Sequence, residues 1–90
     1  LYMDGVNKMK KEEIKAVIVR YIEMKGKLPE NTDIDNFDYV GTGYLDSLSV
    51  IKFVVKLEEK FNIEIEDEEI LRPEFRTIGG LASIILDKIG

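Results

Sequence analysis

The chemistry this chain can offer is concentrated in Gly43-Tyr44-Leu45-Asp46-Ser47-Leu48, where an acidic, glycine-bearing loop gives way to a periodic apolar segment. That placement puts a serine hydroxyl at a helix N-terminus, where free N–H groups and the helix dipole favour an anion. Three roles suit a serine there: a helix cap, a nucleophile, or the acceptor of a group that another enzyme attaches. Asp and Ser are both preferred N-caps, so Asp46-Ser47 also reads as a plain helix start. Neither Ser49 nor Val50 supplies the Glu or Gln that a capping box places three residues after either candidate cap. A nucleophilic serine needs a base, and the chain has no histidine, while nothing singles out a lysine for that work.

Composition narrows the choice further. Histidine and cysteine are both absent, which removes disulfides, thiolate metal sites and the usual zinc ligands. The cluster Glu64, Glu66, Asp67, Glu68 and Glu69 lacks the alternating ligands and central glycine of a calcium loop, and reads as a solvated face. No metal site is expected. Net charge is −5, which argues against nucleic acid as a partner. The charge is uneven: +3 over residues 1–28, −5 over 29–46, −4 over 47–71 and +1 over 72–90. A negative middle suits a partner that approaches with a basic surface. No apolar run reaches the roughly 20 residues of a membrane span. Leu1 to Lys15 is polar and charged, without the hydrophobic stretch of a signal peptide. A cytoplasmic location fits this composition.

Ninety residues, 44% of them hydrophobic, make one small domain with one core. Residues 1–7 are expected to be an extension or cloning remnant, and 8–90 the domain. The spacing of Ile14, Val17, Ile18, Tyr21 and Ile22 predicts a first helix over 8–25, ended by Gly26 and Pro29. Residues 27–46 are rich in Pro, Asn, Asp and Gly and read as a long ordered crossover. Leu28, Ile34, Phe37 and Val40 would pin it, with a short turn of helix near Asp33–Phe37. A second helix is expected over 47–60, with Leu48, Ile51, Val54, Val55, Leu57 and then Phe61 as its apolar face. Ser49, Lys52, Lys56 and Glu59 would point outward. Phe61, Ile63 and Ile65 would drop into the core from an extended connector. Asp67–Leu71 reads as a short third helix ended by Pro73. Thr77 reads as the cap of a last helix, Ile78 to about Lys88, with Leu81, Ile84, Ile85 and Ile89 inward. Gly79 and Gly80 would weaken its first turn. The fold class is therefore all-α: a small bundle of three main helices and one short one, with a long loop between helices one and two.

Gly43-Tyr44-Leu45-Asp46-Ser47-Leu48, then Leu57-Glu58-Glu59-Lys60-Phe61-Asn62-Ile63-Glu64-Ile65 and Asp67-Glu68-Glu69, resembles the acyl carrier proteins at the spacing those domains show. The resemblance runs from the first helix to Ile89. It implies a carrier without catalytic activity of its own, bearing 4′-phosphopantetheine on Ser47. The arm would come from coenzyme A through a magnesium-using phosphopantetheinyl transferase, and its thiol would hold acyl or aminoacyl groups as thioesters. Asp46 and Leu48 would flank the site and serve partner recognition, and Val55 matches another partly exposed apolar position. The implied partners are that transferase, an acyl- or aminoacyl-loading ligase, and downstream acyltransferases or synthases of fatty acid, polyketide or nonribosomal peptide assembly. A monomer suits a shuttle of this kind. Lys52 and Lys56 stand where fatty-acid carriers show acids, and Leu45 before Asp46-Ser47 looks closer to D-alanyl and aminoacyl carriers, as does Arg72-Pro73-Glu74-Phe75-Arg76-Thr77. The alternative is a carrier-like helical interaction module that is never modified, in which Ser47 is only a cap.

Overall fold

A computed structural model describes the backbone of residues 2–89 and the side chains of 10–89. Four α-helices are seen among the described residues: α1 (Tyr2–Ile22), α2 (Ser47–Phe61), α3 (Asp67–Ile70) and α4 (Ile78–Ile89). The expected all-α bundle with one short helix is the observed architecture. α1 packs chiefly on α4, and the N-terminal part of α4 sits against a 3₁₀ turn at Pro73–Arg76.

α1 is longer at its start than its periodicity predicts, beginning at Tyr2 rather than at residue 8, within the stretch expected to be an extension. At its other end Glu23–Lys25 tightens into a 3₁₀ turn. Gly26 closes it at φ 147, donating its N–H to the Glu23 carbonyl at 3.0 Å. The predicted stripe is inward: Ile14, Ile18 and Ile22 are buried, with Val17 and Tyr21 packed at its edge. Lys15 is held between Glu12 (2.8 Å) and Asp35 (3.0 Å), which ties the crossover to α1.

The long crossover is ordered by two residues that the apolar pattern does not single out. Tyr39 and Leu45 are buried, whereas the expected anchors Leu28, Ile34, Phe37 and Val40 only border the core. Asp33–Phe37 is not a helix but a pair of turns, with Asn36 N–H to the Asp33 carbonyl and Phe37 N–H to the Ile34 carbonyl. The Tyr39 ring lies edge-on to Phe53 (5.4 Å) and Phe75 (5.9 Å), and its hydroxyl donates to the Phe75 carbonyl. That bond satisfies a buried phenol whose ionisation burial opposes. An antiparallel bridge, Asp38 with Thr77, fixes the crossover to the start of α4.

The helix ends follow local chemistry. Glu66 and Glu69 form a capping box on α3, and Glu69 also pairs with Lys88 at 2.8 Å, joining α3 to α4. Pro73 does not end α3; Leu71 does, and Pro73 opens the 3₁₀ turn, where its fixed φ costs nothing. Thr77 caps α4 as expected, its hydroxyl accepting from the Gly80 N–H at 3.1 Å. Gly79 and Gly80 do more than weaken that turn. A Cβ on Gly80 would overlap the Glu74 carbonyl, and one on Gly79 would sit 3.0 Å from the Asp35 carbonyl oxygen. Their bareness is what lets crossover, 3₁₀ turn and α4 meet.

Candidate functional site

The site is held from its N-terminal side by the end of the crossover. Gly43 turns the chain at φ 76, in the left-handed region that glycine enters without strain. Tyr44 follows, edge-on to Phe37 at 5.5 Å, with its hydroxyl donating to the Gly26 carbonyl at the end of the first helical stretch. Leu45 then drops into the core, only 4% exposed, while its N–H bonds the Tyr39 carbonyl at 3.0 Å. One residue on, the chain is back at the surface: Asp46, Ser47 and Leu48 are all exposed. A buried leucine two residues before an exposed serine thus fixes the serine's position without covering it.

Asp46 is the N-cap of α2. Its backbone is extended, its Oδ1 accepts from the Ser49 N–H at 2.8 Å, and its carbonyl takes the first helical bond from Val50 at 2.9 Å. The Ser49 N–H above all holds the Asp46 carboxyl below its usual range, helped by the Ser49 hydroxyl and by Lys25 and Lys52 nearby. Ser47 is the first residue of the helix proper, not its cap, which corrects the reading of Ser47 as a capping residue. The capping work is complete without it. With the Ser49 and Val50 N–H groups bonded to Asp46, the N–H groups of Ser47 and Leu48 are the ones at this end with no helical acceptor. An anion on the Ser47 hydroxyl would meet those donors and the positive end of a 15-residue helix, worth roughly 0.3–1 kcal/mol at such a surface.

α2 is apolar on two sides, which the sequence reading merged into one. Phe53, Val54 and Leu57 are buried, and Phe53 was not among the expected core residues. Ile51, expected among the apolar face that packs the bundle, is 61% exposed, beside Leu48 at 61% and Val55 at 46%. The spacing of these three, 48, 51 and 55, makes a second stripe on the solvent side. Leu48 and Val55 therefore stand partly exposed, as the resemblance implied. Lys52, Lys56 and Glu59 point outward as expected, while Ser49 is half-buried. Glu58 turns back to accept from the Ile65 N–H at 2.9 Å, anchoring the connector. Asn62 ends the helix in the left-handed region at φ 54.

A groove of about 310 Å³ opens beside Ser47, between the end of the first helical stretch and α2. Tyr21, Met24, Leu45, Leu48 and Phe53 give it apolar walls, and Lys25, Lys52 and Lys56 stand around it. The acidic residues Glu58, Glu64, Glu66, Asp67 and Glu68 border a separate open hollow. Among the described residues no three carboxylates are grouped to hold a metal ion, and no helix is long and apolar enough to cross a membrane.

Comparison with known proteins agrees with this geometry. Residues 13–85 match the family described as "Phosphopantetheine attachment site". An acyl carrier protein of Helicobacter hepaticus is 40% identical over 60 residues, covering 64% of this chain and 71% of its own. One from Wolinella succinogenes is 36% identical over 74 residues, covering 82% of this chain and 90% of its own. A D-alanyl carrier protein of Streptococcus suis is 30% identical over 77 residues, 83% of this chain and 94% of its own. No solved structure matches. The matched stretch takes in the second half of α1, the crossover, the exposed serine and all of α2, and the chain belongs to the acyl carrier protein family with its phosphopantetheine attachment domain.

Proposed function

We propose that this protein is a carrier whose Ser47 accepts 4′-phosphopantetheine and which then conveys acyl or aminoacyl groups, as thioesters, between partner enzymes. Its family carries that prosthetic group covalently. The observation that carries the assignment to Ser47 is the division of labour at the start of α2: Asp46 caps the helix and leaves an exposed hydroxyl with nothing structural to do. The residues present fit the group. A phosphodiester on Ser47 would face the unbonded N–H groups of Ser47 and Leu48. The neighbouring Asp46 charge is engaged by Ser49 and offset by Lys25 and Lys52. When bound, the group supplies the thiol that this cysteine-free chain lacks.

The chain's own part is acceptance and recognition. In the loading reaction the Ser47 oxygen would form a P–O bond to the pantetheine phosphate of coenzyme A, breaking its anhydride and releasing adenosine 3′,5′-bisphosphate. The base and the magnesium belong to the transferase. The Asp46 carboxylate and the exposed stripe of Leu48, Ile51 and Val55 are the surface that the transferase, a loading ligase and downstream acyltransferases or synthases would meet. A cytoplasmic monomer is the form that suits such a shuttle. Incubation with coenzyme A, magnesium and a promiscuous phosphopantetheinyl transferase, followed by intact mass measurement, tests this. The expected result is one added phosphopantetheine, absent in Ser47→Ala; no addition, or an addition that persists in Ser47→Ala, refutes it.

A further inference from the structure

We infer that Tyr44 is a positioning residue for the modification of Ser47: its hydroxyl ties the chain just before the serine to the end of the first helical stretch. The inference rests on Ser47 being the attachment point. Helix ends fray unless something holds them, and Asp46 ties the first turn of α2 to itself. Gly43 does not fix the approach, since a Cβ there would meet nothing within 4 Å. Leu45 sets the depth, its side chain in the core and its N–H on the Tyr39 carbonyl at 3.0 Å. One buried side chain still leaves the segment free to pivot, and Tyr44 supplies the lateral tie.

The acceptor is held ready for that tie. Glu23 grips the Gly26 turn twice: its carbonyl accepts from the Gly26 N–H at 3.0 Å and its carboxylate from the Leu28 N–H at 3.2 Å. Gly26 lies at φ 147, ψ 160, a conformation essentially reserved to glycine, and a Cβ on it would come within 3.6 Å of the Tyr44 oxygen. The bond spans 18 residues, so it closes the crossover at its base. The Tyr44 ring, edge-on to Phe37 at 5.5 Å, would keep that contact as phenylalanine. The hydroxyl therefore adds one thing to the packing, a fixed direction for the three residues that end at Ser47. A transferase needs the Ser47 oxygen in line with the phosphate it attacks, and an untied segment must be reordered at each encounter. The KM for the carrier then rises by up to the factor by which the open segment gains on the tied one, while kcat, set after the segment is ordered, stays the same. One hydrogen bond is worth about two- to tenfold in such a ratio.

The experiment compares the full chain with Tyr44→Phe, which removes only the hydroxyl, and with Lys88→Gln, which breaks the Glu69 pair between α3 and α4. Intact mass after transferase treatment first confirms one group on Ser47 of the parent. No addition there refutes the attachment itself, and this inference falls with it. With loading confirmed, three quantities are read for each chain: the melting temperature, amide hydrogen exchange, and the transferase kcat and KM with the carrier as varied substrate. In Tyr44→Phe, exchange at Leu45 and Val50 is expected to quicken about two- to tenfold while the buried Leu57 is unchanged. Its KM should rise about two- to fivefold at unchanged kcat. Lys88→Gln should lower the melting temperature and leave KM at the parent value, because it does not touch the tie. An unchanged KM in Tyr44→Phe overturns the inference, even where exchange quickens, since the bond would then serve the fold alone. A fall in kcat at constant KM also overturns it, as does an equal rise of KM in Lys88→Gln, which would trace the effect to stability rather than to position.

Discussion

In the proposed reading Asp46 caps α2 and Ser47 accepts the group, and this division can be tested residue by residue. Asp46→Ala removes the side-chain acceptor of the Ser49 N–H and should lower the melting temperature by a few degrees, read by circular dichroism. Asn is as good a cap as Asp, so Asp46→Asn should keep most of that stability. The two variants then separate cap from recognition. If the transferase reads the carboxylate, Asp46→Asn folds like the parent but is modified about tenfold or more slowly, whereas an unchanged rate would assign Asp46 to capping alone. The sequence offered Asp46 and Ser47 as equal candidates for the cap, because both residue types are good at it. Only backbone geometry could choose between them: Asp46 is extended and Ser47 is already helical.

At the level of elements, α2 shows what periodicity can and cannot carry. The pattern placed the helix within one residue at its C-terminal end, yet could not tell the buried stripe from the exposed one, because residues 48–57 are apolar on both sides. Tyr39 and Leu45 were not read as core residues for a related reason. A loop has no period, so two buried side chains inside it look like any other apolar residues there. Turn chemistry, by contrast, was legible at Gly26, Thr77 and the acidic crossover. The two glycines of α4 were read as weak points, since a missing side chain gives no hint of what approaches it. Gly80→Ala should therefore cost about 1–3 kcal/mol in urea unfolding, despite alanine's better helix propensity, because the Glu74 carbonyl occupies the space. A stabilising Gly80→Ala would contradict the packing described. Tyr39→Phe should cost about 1–3 kcal/mol by stranding the Phe75 carbonyl in the core, with the aromatic contacts kept.

Across the whole molecule, a few charged points tie α1 to the crossover and α3 to α4, and their response to pH has a definite sign. Lys88, and then the Glu66 N–H, hold the Glu69 carboxyl below its usual range in the folded state. Stability from a lowered carboxyl is fully present above the unfolded value of about 4.3 and is lost as pH falls through the folded value. Asp46 acts in the same direction. Thermal stability should therefore hold at neutral pH and fall in acid below about pH 4, and Glu69→Gln should flatten that fall while lowering the plateau. Lys15 works the other way: Glu12 and then Asp35 raise it, so its contribution is lost only as strongly alkaline pH passes through the folded value.

The proposed function requires the attachment of one group to one hydroxyl, and intact mass spectrometry after transferase treatment measures that directly. Complete conversion of the parent to a single phosphopantetheine adduct, with Ser47→Ala folded but unmodified, is the expected result. A folded parent that takes up nothing, or an adduct mapped to another serine, would contradict it.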